Sequence, residues 1–185
     1  MEKIVANSLR INIIGGGPGG LYFSILMKLA NPKHQITVYE QNKPDDTFGF
    51  GVVFSDETLE NFMGQDPVTY QEIKDQFAYW DQIEVRYRGE RIRSGGHGFA
   101  GMARMTLLNI FRERCRGLGV EVIYETVIKD LKTLQNADLV VAADGVNSFV
   151  RESLKSYLKP TVDMRKTKFV WLGTTQKFDA FTFIF

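Results

Sequence analysis

Ile14-Gly15-Gly16-Gly17-Pro18-Gly19-Gly20 lies between an apolar run (Leu9, Ile11, Ile13, Ile14) and an apolar helical stretch from Leu21 to Leu29. Gly15, Gly17 and Gly20 stand in the G-x-G-x-x-G spacing, the mark of a strand that turns into a helix over a dinucleotide pyrophosphate. Gly15 permits the tight turn, Gly17 removes the side chain that would block the phosphates, and Gly20 lets helix and strand pack closely. Pro18 suits the first helical turn, where a missing N–H costs nothing. The free N–H groups and the helix dipole then face an anion.

The other half of that fingerprint follows. Gln35 to Glu40 (QITVYE) reads as a strand ending in a carboxylate, and Glu40 lies twenty residues after Gly20. An acid at this place accepts hydrogen bonds from a ribose hydroxyl and disfavours a 2′-phosphate, so the tightly held nucleotide is expected to be NAD or FAD rather than NADP.

With 185 residues the chain can bury one core, or one and a fraction. Its 23 Lys and Arg against 22 Asp and Glu leave a formal charge of +1, which gives no footprint for a nucleic-acid binder. One cysteine excludes an internal disulfide and fits a reducing, cytoplasmic setting. No signal peptide and no bilayer-spanning apolar run is visible, so no membrane partner is expected. The aromatic, β-branched stretch Phe178 to Phe185 reads as a strand without a polar tail. The expectation is a chain that forms the front part of a longer protein.

Along the chain, the spacing predicts a first strand over Leu9–Ile14, a buried helix over Pro18–Ala30 ended by Asn31-Pro32, and the strand ending at Glu40. Phe48–Ser55 reads as a loop of glycines and aromatics. Ser55 or Asp56 caps a short helix through Met63, and Asp66-Pro67 starts another running to about Gln76. Ile83–Arg88 alternates as a half-buried strand with a hairpin partner at Arg91–Arg93. A helix covers Arg104 to about Leu118, a third strand Val120–Tyr124, and a small strand pair Thr126–Lys132. Asp138–Ala143 (DLVVAA) reads as a strand buried on both faces of a parallel sheet.

That last strand runs into Asp144-Gly145-Val146-Asn147-Ser148-Phe149-Val150-Arg151. An acid and a glycine at the C-terminal edge of a parallel sheet sit where open α/β sheets bind ligands. Ala143-Asp144-Gly145 with Ser148 and Arg151 resembles the Asp-Gly motif of flavin-dependent aromatic hydroxylases. Arg104-x-x-Leu107 resembles the family's arginine that reaches the FAD phosphates, a role suited to a guanidinium. More narrowly, Pro44–Asp56, Arg93–Phe99 and Trp171–Thr175 with Phe178–Phe185 resemble the family's aryl-CoA branch, the salicyloyl-CoA and 2-aminobenzoyl-CoA monooxygenases, and this likeness covers essentially the whole chain.

The resemblance implies an α/β fold: a Rossmann-type FAD-binding domain with a parallel sheet, over residues 1–79 and 100–163, with strands of an inserted β-rich substrate domain at 80–99 and 164–185. It implies FAD as cofactor, held by Gly15, Gly17, Pro18, Gly19, Gly20, Glu40, Gln41, Arg104, Val127, Asp144 and Gly145. NAD(P)H is the implied transient electron donor, O2 the co-substrate, and an activated aromatic ring, carried as a CoA thioester, the substrate. A homodimer is compatible with it. The family's later Gly-Asp motif lies outside these residues.

Because the cofactor carries the chemistry, neither a triad nor a metal site is expected. Arg86, Arg88, Arg91 and Arg93 cluster with Tyr87 on the hairpin and stand as a candidate dock for CoA phosphates, against the alternative of a solvated strand face. His97, among glycines, is a candidate near the substrate or a mobile-loop residue; His34 reads as a surface turn residue. Cys115 falls on the apolar face of its helix and reads as core. Two other readings stay open: an NAD- or FAD-dependent reductase or dehydrogenase, and a nucleotide-binding fragment without turnover.

Overall fold

The computed structural model describes residues 8–185. In chain order the elements are β1 (Arg10–Ile14), α1 (Pro18–Ala30), β2 (Gln35–Tyr39), β3 (Gly51–Ser55), α2 (Asp56–Gln65), α3 (Pro67–Lys74), β4 (Ala78–Trp80), β5 (Ile83–Tyr87), β6 (Glu90–Ser94), β7 (Phe99–Ala103), α4 (Arg104–Gly117), β8 (Glu121–Ile123), β9 (Leu139–Ala142), α5 (Phe149–Ser153), α6 (Lys155–Leu158) and β10 (Phe181–Ile184). They form two compact units: the chain up to Asp46 with Phe111–Lys168, and Thr47–Ile110 with Phe169–Phe185.

The first unit is built on a parallel sheet in the order β8-β2-β1-β9. β1 lies inside it, and Ile11 and Ile13 are fully buried together with Val38 of β2. Helix α1 packs Leu21 and Ile25 into the same core, and Tyr22 stacks on Phe111 of α4 with ring centroids 5.3 Å apart. Each fully buried Ile or Leu contributes about 1.5–3 kcal/mol relative to an exposed one. Cys115 is also fully buried here, with its Sγ 3.4 Å from the Leu21 carbonyl, and burial pushes its thiol up to about 12.

The second unit carries two small sheets. One is antiparallel, β3-β7-β4; the other runs β10-β5-β6, with β5 and β6 antiparallel and β10 parallel to β5. The β5–β6 hairpin turns through Arg88 (φ 48) and Gly89 (φ 87), both left-handed, which is the backbone of the two-residue turn that suits strand twist. Helix α2 starts at Ser55, whose Oγ accepts the Thr58 N–H at 3.4 Å. Trp80 donates its ring N–H to the Phe178 carbonyl at 3.0 Å, and Phe181 stacks on Phe99 at 4.7 Å.

Three expectations need correction. Phe48–Ser55 is not all loop: Gly51–Ser55 is a strand, paired with Phe99–Ala103, which had no strand prediction. Val52, Val53 and Phe54 favour a strand, and the pairing with Phe99–Ala103 realises it despite the flanking glycines. Thr126–Lys132 forms no strand pair; Leu131–Leu134 is instead a 3-10 turn whose cap, Asp130, accepts the Lys132 N–H at 2.9 Å. Finally, β9 is not covered on both faces. Leu139 and Val140 are 38% and 40% exposed, because β9 is the edge strand of the described sheet.

In the second unit Glu84 is fully buried and clamped by two arginines, Arg86 on Oε1 and Arg93 Nε on Oε2 at 2.6 Å. Arg93 also reaches Asp179 at 2.8 Å, which ties the chain just ahead of the last strand to the hairpin. Arg93 first, then Arg86, holds the Glu84 carboxyl below its ordinary value of 4.5, against the opposing effect of burial, and Arg93 lowers Asp179 from 3.8. Both carboxyls are depressed in the folded chain. Their contribution to stability is therefore complete above those ordinary values and is lost as pH falls through the lower folded ones. Thermal melts from pH 6 to pH 2 are expected to show a steep fall in Tm below about pH 4.5. Glu84→Gln should lower Tm at pH 7 and flatten that fall; an unchanged profile would refute the assignment.

Candidate nucleotide site

The site is assembled at the C-terminal ends of β1, β2 and β9, which the parallel pairing brings side by side. After Ile14 the chain turns at Gly15 (φ +104), whose N–H donates to the Tyr39 carbonyl at 2.8 Å. A β-carbon on Gly15 would lie 2.3 Å from the Ala143 carbonyl oxygen, so the loops after β1 and β9 touch through backbone alone. A β-carbon on Gly20 would lie 2.0 Å from the Gly15 carbonyl oxygen. At Gly17 nothing stands within 4 Å of that direction, which leaves open space over the loop. Helix α1 begins at Pro18 with no side chain capping its first turn. Its first N–H groups are thus free for an anion.

Glu40 is only 9% exposed and carries three donors. Its Oε2 accepts the Gly16 N–H at 2.7 Å; its Oε1 accepts the Asn42 N–H at 2.8 Å and the Asn42 side-chain amide at 2.7 Å. Asp144 is held in a similar way: Ser148 donates its hydroxyl to Oδ1 at 2.6 Å, and the Val150 N–H donates to Oδ2 at 3.1 Å. Ser148 Oγ in turn accepts the Arg151 N–H at 3.0 Å, and the Arg151 guanidinium donates to the Val146 carbonyl at 2.7 Å. The Asp-Gly loop is therefore a closed hydrogen-bonded knot, turned at Gly145 (φ +80).

These loops surround a cavity of about 300 Å³. Gly15, Gly17, Glu40, Gln41, Val127, Asp144 and Gly145 line it, so two motifs about 125 residues apart in the chain face one space. Pro18, Gly19 and Gly20 belong to the first turn of α1. Arg104 lies in the other compact unit, at the start of α4; its N–H donates to the Phe50 carbonyl at 3.0 Å and its Nε is buried without a hydrogen-bond partner. Asn42 was missed by sequence reasoning, although it also lines the cavity. The only hint was an Asn two residues beyond a strand-end acid.

The residues expected elsewhere fare differently. Of the four hairpin arginines, Arg86 and Arg93 are turned onto Glu84 and Asp179. Arg88 lies over the Tyr87 ring at 5.1 Å, and Arg91 is exposed. His97 is exposed but tethered: its Nε2 is 2.9 Å from Ser94 Oγ, and its N–H donates to the Asp81 carbonyl at 3.0 Å. His34 is not a surface residue. It is 5% exposed, and its Nδ1 accepts the Leu9 N–H at 2.9 Å, which puts the proton of the neutral ring on Nε2. Among the described residues no group of three His, Cys, Asp or Glu side chains is placed to hold a metal, and no helix is long and apolar enough to cross a membrane.

The fold is shared with solved oxygenase structures. The tetrameric form of 2-methyl-3-hydroxypyridine-5-carboxylic acid oxygenase superposes on 80% of this chain with a TM-score of 0.69 at 24% identity, over 43% of its own length. CtdE, solved in complex with FAD, superposes on 80% of the chain with a TM-score of 0.60 at 17% identity, over 41% of its length. By sequence the chain is related to salicyloyl-CoA 5-hydroxylase of Streptomyces sp, with 44% identity over 176 residues, 95% of this chain and 34% of that protein. Two further relatives, each 30% identical, are also monooxygenases. The chain spans between about a third and a half of the length of these relatives. No family model matches it.

Two measurements test this geometry. Ser148→Ala removes the hydroxyl that joins Asp144 to α5 and is expected to cost about 1–2 kcal/mol in chemical denaturation, as for a lost helix cap. The single thiol, Cys115, should not react with Ellman's reagent in the native chain and should react fully in denaturant; rapid native labelling would contradict its place in the core.

Proposed function

We propose that this chain is the flavin-binding portion of an FAD-dependent monooxygenase that hydroxylates an activated aromatic ring, carried as a CoA thioester, using NAD(P)H and O2. One observation carries the reading: Glu40 and Asp144, from separate nucleotide motifs, line one cavity on either side of a glycine turn that admits no β-carbon.

The residues present fit the adenosine-diphosphate half of FAD. Open space above Gly17, together with the uncapped N-terminus of α1, suits a pyrophosphate. The Glu40 carboxylate suits a ribose hydroxyl and opposes a 2′-phosphate by charge. Ser148 and Arg151 act on the Asp-Gly loop as positioning residues, keeping Asp144 at the cavity wall. When bound, FAD supplies the redox chemistry that passes electrons from a nicotinamide to oxygen and an oxygen atom to the ring. We assign residues 1–79 and 100–163 to flavin binding and 80–99 with 164–185 to the substrate domain. That β5, β6 and β10 form one sheet supports this division. The CoA-linked substrate rests on the likeness to salicyloyl-CoA 5-hydroxylase.

The intact protein that carries this chain should purify yellow, with FAD bound, and should convert an aryl-CoA thioester to a ring-hydroxylated product with NAD(P)H and O2. Oxidation of NAD(P)H without hydroxylated product would make it a reductase. Glu40→Ala should weaken FAD binding about tenfold or more, read by quenching of flavin fluorescence.

A further inference from the structure

A carboxylate offers about four acceptor positions. On Glu40 three are taken, by the Gly16 N–H and by two donors of Asn42. One position remains, which serves one hydroxyl. A ribose presents two adjacent hydroxyls, so Glu40 alone leaves one without an acceptor.

Asn42 supplies the missing group. Its side-chain nitrogen is pinned to Glu40 Oε1 at 2.7 Å, which fixes the orientation of the amide and leaves Oδ1 as its free branch. Asn42 lines the same cavity, and none of the described residues donates a hydrogen bond to that oxygen. Its own backbone is anchored: the Glu125 N–H donates to the Asn42 carbonyl at 3.3 Å, next to the Thr126 N–H on the Glu40 carbonyl at 2.9 Å. We infer that Asn42 is a positioning and specificity residue of the nucleotide site: it orients Glu40 through Oε1 and offers Oδ1 to the second ribose hydroxyl, so that the diol is read by the Glu40–Asn42 pair. This rests on reading the cavity as the site of a nucleotide's adenosine half.

The test is calorimetric titration of the full chain with ADP, 2′-deoxy-ADP and 3′-deoxy-ADP, for the unaltered protein, Asn42→Ala, Asn42→Asp and Glu40→Ala. In the unaltered protein each missing hydroxyl should weaken binding about tenfold. Asn42→Ala should abolish the penalty for one of the two hydroxyls and keep the other. Asn42→Asp, which loses the donor and sets a charge against Glu40, should bind ADP more weakly still. A purely structural role would weaken all three ligands in equal proportion, and that result would overturn the inference, as would unchanged binding by Asn42→Ala. Asn42→Ser serves in place of Asn42→Ala if the latter does not fold, with the same selective loss expected. Binding that Glu40→Ala weakens and Asn42→Ala does not would refute the role of Asn42 alone. Failure of the unaltered protein to bind ADP would refute the site itself.

Discussion

Where a β-carbon on Gly15 would have to be, the structure has the carbonyl oxygen of Ala143, 2.3 Å away. That approach of two main chains is the constraint on which the site depends. It sets the turn after β1 against the turn after β9 with no side chain between them, so the glycine loop and the Asp-Gly loop share one rim. The Ala143 N–H on the Ile14 carbonyl at 2.8 Å keeps the two strand ends in register up to the last residue. A side chain at Gly15 would meet backbone, which cannot swing aside, and the left-handed φ would add its own strain.

Around that rim the two acids are held rather than left to solvent. Glu40 braces the glycine loop through the Gly16 N–H, and Asp144 is tied into the start of α5 by Ser148 and Val150. Preorganisation of this kind lowers the ordering cost that a ligand would otherwise meet. The second unit uses charge in the same way. Glu84, wholly covered, gathers Arg86 and Arg93, and Arg93 passes the link on to Asp179. Removing one partner of such a cluster costs more than its formation gains, since it strands a buried charge.

Much of this was legible in the chain itself. The helix from Pro18 to Ala30 matches its expected bounds, because proline at the start and Asn31-Pro32 at the end are backbone signals that do not depend on tertiary context. Glu40 could be placed from spacing, since β-α-β geometry sets the distance from glycine loop to strand end, and Asp144 from the apolar strand that runs into it and the resemblance of its Asp-Gly motif. Residues whose role depends on a partner far along the chain were not legible. Arg86 and Arg93 looked like a solvent-facing patch until the hairpin register put Arg93 opposite Glu84. His34 looked like a turn residue until Leu9 supplied its donor. Gly51–Ser55 carries strand-forming residues in Val52, Val53 and Phe54, but they follow a run of glycine and aromatics that reads as loop, and their partner strand lies almost fifty residues later.

The single sulfhydryl carries one more consequence. A thiol whose titration is pushed up to about 12 holds a reactive anion in only about one molecule in 10⁵ at neutral pH. Peroxide attacks that anion, and climbs the oxidation ladder from it. In a protein proposed to handle reduced flavin and oxygen, stray peroxide is a standing hazard. By burying its one thiol in the core against the Leu21 carbonyl, this domain presents that hazard with almost nothing to oxidise at cysteine.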